Sequence, residues 1–146
     1  MSDLNVEHLL KLIKVAVQAD DWTSINAELS TKRIAWYKKE KDALNLAGTD
    51  VRKAYSLILQ KIGINPKEAP VVYEDLKKIV WRSKNYCPVL EACIEGGFDT
   101  RLVCRKGWEE SVQLLVGQIN PHLRFSRDYG HIRPHSTYCE ESISLP

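Results

Sequence analysis

The chain is 146 residues long, with 44% hydrophobic and 27% charged residues, which are ordinary values for a globular protein with a core of its own. A formal net charge of +2 is too small to carry a charge-based argument for nucleic-acid binding. No apolar run approaches the ~20 residues that span a bilayer, so no membrane partner is expected either.

The opening Met1-Ser2-Asp3-Leu4-Asn5-Val6-Glu7 lacks the basic and apolar regions of a secretory signal. A cytoplasmic, reducing location is therefore expected, in which four cysteines read as thiols or metal ligands rather than disulfides. The first segment reads as a helix, with Leu9, Leu10, Ile13, Ala16 and Val17 at helical spacing and Asp3 or Asn5 as its cap. Asp20-Asp21 interrupts it, and Thr23 or Ser24 caps a second helix. Ile25, Leu29, Trp36, Ala43, Leu44 and Ala47 form its stripe, which runs to Gly48. Within it, Trp36 to Lys41 mixes aromatics with lysines but reads as a solvated face with pairs such as Lys38 with Asp42. Thr49 or Asp50 opens a third helix bearing Val51, Ala54, Tyr55, Ile58 and Leu59, which ends near Gly63.

Beyond Asn65-Pro66 and Ala69-Pro70 the character changes. Residues 78–85 alternate as a strand, with Ile79 and Trp81 on one side and Lys78, Arg82 and Lys84 on the other; residues 73–77 remain open to a short helical turn. Pro88 suits the first turn of a helix reaching Gly96, with Cys87 at its cap, and Asp99 caps a piece through Cys104. Trp108, Val112, Leu115, Val116 and Ile119 form the last amphipathic stripe, stopped by Asn120-Pro121. Leu123, Phe125, Arg127 and Tyr129 then alternate into a hairpin turning at Asp128 to His131. Its second strand runs from about Thr137 to Leu145, with Cys139, Glu141, Ile143 and Leu145 on one face. The expectation is one α+β domain: a helical part over residues 1–64, and a part over 65–146 with a strand, two helices and a C-terminal hairpin in a small antiparallel sheet.

All four cysteines and three of the four histidines fall in that second part. Cys87 would face the unpaired N–H groups of the Pro88 helix, where the macrodipole favours an anion and a thiolate of lowered pKa, with Arg82 and Lys84 adding positive potential. Glu91 follows four residues later on the same face as an acid, base or ligand. The alternative is an inert cap cysteine. Cys93 completes an apolar set with Leu90 and Ile94 and reads as core. Cys87, Cys104 and Cys139 offer an alternative three-thiolate site for zinc or another metal, with His122, His131 or His135 as fourth ligand. Only His131 and His135 have the close spacing that structural zinc sites use, so no cofactor is the primary expectation. Arg127 and Tyr129 share a strand face; if that face is inward, the guanidinium needs an anion, either Glu141 or Glu91 or the carboxylate of a ligand. Arg133 stands ready as a second anion contact.

The strand leading into Asn85-Tyr86-Cys87-Pro88, a helix containing Glu91, and Asp99-Thr100-Arg101 with Cys104 make a pattern. It continues through Asn120-Pro121, Arg127 with Tyr129, and Tyr138-Cys139-Glu140-Glu141. This segment, Ile79 to Leu145, resembles the L-2-amino-thiazoline-4-carboxylic acid hydrolase-like family and, more distantly, is similar to 4-vinyl reductase type small-molecule-binding domains. The resemblance implies hydrolytic opening of a small cyclic amidine that bears a carboxylate. Joined to the residue reading, it makes Cys87 the nucleophile, Glu91 or His135 the proton-moving group, and Arg127, Tyr129, Arg133 and Cys139 the binding groups. The alternatives are a non-catalytic ligand- or metal-binding sensor, or an interaction protein that forms a homodimer through its N-terminal helices and keeps its cysteines for structure.

Overall fold

A computed structural model describes residues 5–146. Among the described residues are six α-helices and one four-stranded antiparallel sheet, an α+β fold as expected. The helices are α1 (Val6–Ala19), α2 (Thr23–Glu40), α3 (Asp50–Ile62), α4 (Pro88–Gly96), α5 (Thr100–Gly107) and α6 (Glu109–Val116). The strands are β1 (Val71–Glu74), β2 (Lys78–Ser83), β3 (Arg124–Arg127) and β4 (Cys139–Ser144).

Local chemistry accounts for most boundaries. Asn5 caps α1 by accepting the His8 N–H at 2.8 Å; the other candidate, Asp3, lies outside the described residues. Thr49 caps α3 through Arg52, and Gly63, in the left-handed region at φ 80°, closes it. Asp99 caps α5 in the same way through the Arg101 N–H. α2 departs from expectation at both ends. Trp22 occupies its cap position without a side-chain bond, and Thr23 is already helical, held by Asp21 Oδ1 at 3.0 Å. The helix stops at Glu40 in a short 3-10 turn, because Lys41, Asp42 and Ala43 are exposed and have no apolar face to bury. Among the described residues Lys38 and Asp42 form no ion pair.

The open segment at 73–77 resolves as the end of β1 and a tight turn. Asp75 Oδ1 accepts the N–H groups of both Lys77 and Lys78 at 2.8 Å, which folds β1 back onto β2 rather than starting a helix. The sheet order is β1-β2-β4-β3. β3 ends at Arg127, so Tyr129 lies beyond the strand face expected for it, and an irregular connection leads to β4.

The register divides the inward face of the sheet into rows. Ile79, Ile143 and Phe125 make an apolar row across β2, β4 and β3; Trp81, Glu141 and Arg127 make the next, and Ser83 with Cys139 the one after. Polarity therefore rises along the strands on a single face. The helices cover that face in two groups. Val51, Ala54, Ile58, Val112 and Val116 of α3 and α6 pack on the apolar row. Leu9, Ile13, Ile25, Leu29 and Cys93 belong to a second cluster built by α1, α2, α4 and α5. Cys93 is thus core, as read, at 1% exposure. No helix among the described residues is long and apolar enough to cross a membrane.

Candidate functional site

Where the two apolar clusters meet over the polar rows of the sheet, the structure leaves a cavity of about 530 Å³. Its apolar walls come from Leu9 of α1, Leu29 and Trp36 of α2, Ile58 of α3, Trp81 of β2 and Trp108 beside α6. Its polar side carries Arg33, Arg127, Arg133, Glu141 and three of the four cysteines, Cys87, Cys104 and Cys139. The volume lies within the usual range for a site that encloses a small organic molecule.

Arg127 is the centre of the polar side. Alternation along β3 turns it inward beside Phe125, whose ring lies 5.3 Å from the guanidinium carbon. Its Nη2 stands 3.7 Å from Glu141 Oε2, both side chains being 12% exposed, and Ser83 Oγ donates to the other oxygen of Glu141 at 3.2 Å. Burial works against the Arg127 cation. The Glu141 charge, reinforced by Cys104, Tyr129 and Cys139, outweighs it and raises the guanidinium further. Among the described residues the buried Nη1 of Arg127 has no partner, and neither has the indole Nε1 of Trp81 in the same row. Two buried donors without acceptors, on residues that flank Glu141 in one row of the cavity lining, suit an incoming acceptor or anion.

Arg133 belongs to the same wall. Its Nη1 donates to the Asn85 carbonyl at 2.6 Å, and its backbone N and Nε donate to Cys139 Sγ at 3.4 and 3.3 Å. The buried Thr100 hydroxyl donates to the Arg133 carbonyl at 2.7 Å and ties this connection to the start of α5. Arg127, Arg133, Cys139 and Cys87 are therefore gathered as expected.

The other expected members are elsewhere. Glu91 is exposed and does not line the cavity, because the face of α4 that points inward is that of Ala92 and Cys93. His135 is also exposed, 3.5 Å from Asp99 Oδ1 at the α5 cap. Tyr129 donates its hydroxyl to Glu109 and stacks under Arg105 at 4.3 Å; burial and the Glu109 bond raise its phenol, and it does not line the cavity. Arg82 points to the opposite face of the sheet, where it bonds Glu140 at 3.1 Å, and Lys84 is exposed. Neither supports Cys87.

Cys87 does occupy the cap of α4, but the thiolate expectation is overturned. Burial, the largest effect, raises the thiol. The backbone N–H groups of Leu90 and Val89 and the charges of Arg133 and Arg127 offset this only in part. No hydrogen bond of normal geometry caps the helix through the sulfur. Burial likewise pushes Cys104 up to about 12, against the pull of Arg127. The three sulfurs line one cavity without converging. Among the described residues, the one group of three potential ligands whose donor atoms all lie within 4.8 Å is Asp128, His131 and Glu140. That group lies outside the cavity; His131 bonds Asp128 at 2.8 Å and stacks on Tyr138. His122 is exposed after the Asn120 turn.

Arg33 is the member that the sequence reading missed. It follows Leu29 by four residues, where the stripe of α2 calls for an apolar side chain, and the helix turns it onto the cavity wall. Among the described residues its side chain has no hydrogen bond or ion pair. Burial first, and the like charge of Arg127 second, lower it to about 10, so it remains a cation at neutral pH. A charged residue on an apolar stripe was the signal available for finding it.

Comparison with protein-family models, with curated proteins and with solved structures returned no match.

Proposed function

We propose that this chain binds a small molecule that carries a carboxylate or similar anion on an apolar body, seated in the cavity between the sheet and the helices. The observation that carries the reading is Arg127, which lines the cavity with one guanidinium nitrogen 3.7 Å from Glu141 and the other, Nη1, buried and, among the described residues, without an acceptor. An unsatisfied charged donor in a water-poor pocket is costly in the empty protein, and an anionic ligand removes that cost. The tryptophan and leucine walls suit the apolar body.

The resemblance noted above would add hydrolysis of a C–N bond. Such a step needs an activated nucleophile and a base. Burial keeps the Cys87 thiol protonated at neutral pH, and Glu91 and His135 stand outside the cavity. Glu141, the carboxylate that does line it, is engaged by Arg127 and Ser83. The reading favoured here is therefore binding.

The test is a thermal-shift and ligand-observed NMR comparison of small aromatic and aliphatic carboxylates with their uncharged amides. Carboxylates should bind and raise the melting temperature, the amides should not, and Arg127→Gln should abolish the difference. Amides that bind as well as their acids would overturn the proposal.

A further inference from the structure

The charged inventory of the cavity does not balance. Its acidic lining is Glu141 alone, whereas three guanidiniums, Arg33, Arg127 and Arg133, share the same space. Glu141 offsets one of them. Arg133 is held by the Asn85 carbonyl and the Cys139 sulfur, which orient it, with no carboxylate among its hydrogen-bond partners in the described residues. Among the described residues Arg33 has neither a hydrogen bond nor an ion pair, and Arg127 still has an unpartnered nitrogen. The two lysines on the lining are engaged toward its edge: Lys32 pairs with Glu28 at 3.0 Å, and Lys61 stands 5.5 Å over the Trp36 ring.

A singly charged ligand would leave one desolvated guanidinium uncompensated. The arrangement also brings positive charge from two layers, Arg127 from the sheet and Arg33 from α2, onto one cavity, where the two repel. Two negative charges would remove both penalties at once, because charge-assisted contacts in a low-dielectric site are the strong ones.

From this geometry we infer that the ligand is a dianion, a dicarboxylate or a phosphate monoester on an apolar body, with Arg127 and Arg33 each facing one charge. The inference rests on the proposed anion-binding role of the cavity and adds the charge state of the ligand and a determinant of specificity, Arg33.

Isothermal titration in low-chloride buffer would use two matched pairs: octanedioate against its monomethyl ester, and phenyl phosphate against its methyl diester. The pairs separate the carboxylate source of the charge from the phosphate source. In at least one pair the dianion should bind at least about tenfold more tightly than its monoester, the order expected for a second charge-assisted contact. Arg33→Gln should erase that preference, Arg33→Lys should keep it, and Arg127→Gln should weaken both members of the pair. Equal binding of dianion and monoester, or a preference that survives Arg33→Gln, would overturn the dianion inference while leaving the anion pocket standing. Failure of every probe to bind would overturn both.

Discussion

Replacing Arg127 and Glu141 by methionine, singly and together, tests whether the cavity is a low-dielectric site. At the observed separation of 3.7 Å, Coulomb's law with an effective dielectric of about 20 gives an attraction of about 4.5 kcal/mol. Either single variant strands one buried charge, a class of change that costs about 3–5 kcal/mol. Arg127→Met should fall at the lower end of that range, near 3 kcal/mol, because it also relieves the repulsion felt by Arg33. The double variant fills the space with side chains of similar volume and strands nothing, so it should cost only about 2 kcal/mol. With Arg127→Met near 3 kcal/mol and Glu141→Met within about 3–5 kcal/mol, the cycle returns a coupling of about 4–6 kcal/mol, a range that includes the Coulomb figure. Urea unfolding of the four proteins measures it, with equal m-values as the check that only the folded state has changed. A coupling below about 1 kcal/mol, the value of an exposed pair, would mean that water reaches Arg127 freely and would remove the argument for an anionic ligand.

Four further outcomes follow from the same geometry. Because burial raises the Cys87 thiol, iodoacetamide should alkylate it more slowly at neutral pH than free cysteine; an equal or faster rate would contradict the reading. Burial pushes Cys93 and Cys104 from 9.0 to about 12, so the folded chain keeps protons that the unfolded chain begins to release near pH 9. Stability should hold below about pH 9 and fall toward about pH 12, and Cys104→Ala should make the fall in melting temperature shallower. The buried Thr100 hydroxyl anchors the Arg133 connection, so Thr100→Val should cost about 1–3 kcal/mol in urea and weaken ligand binding. By contrast, Glu91→Gln and His135→Ala, both on the surface, should each stay within about 0.5 kcal/mol and leave binding unchanged.

The class of fold, the strand at Ile79 to Ser83, the cap at Cys87, the core role of Cys93 and the strand face that Arg127 shares with Phe125 were all legible in the sequence. Each follows from rules that act within a few residues: strand alternation, proline at a helix start, or an apolar triplet at helical spacing. The β1–β2 turn was missed because Asp75 makes it with its own side chain, in a stretch whose pattern also suits a helical turn. The site was legible only in part. Glu91 and Cys87 are four apart at the start of one helix, yet only Cys87 lines the cavity; Leu90 also lines it, while Glu91, one residue on, turns to solvent.

What the sequence determined by itself is local: where elements start and stop, and which residues of each face inward. What only the tertiary structure decided is which inward residues share a space, and what that space does to their chemistry. Arg33 and Arg127 are far apart in the chain and line one cavity because α2 packs on α6, which in turn packs on β3. The state of Cys87 turns on the same point. A helix start favours a thiolate locally, but burial is a property of everything packed around it, and here burial prevails.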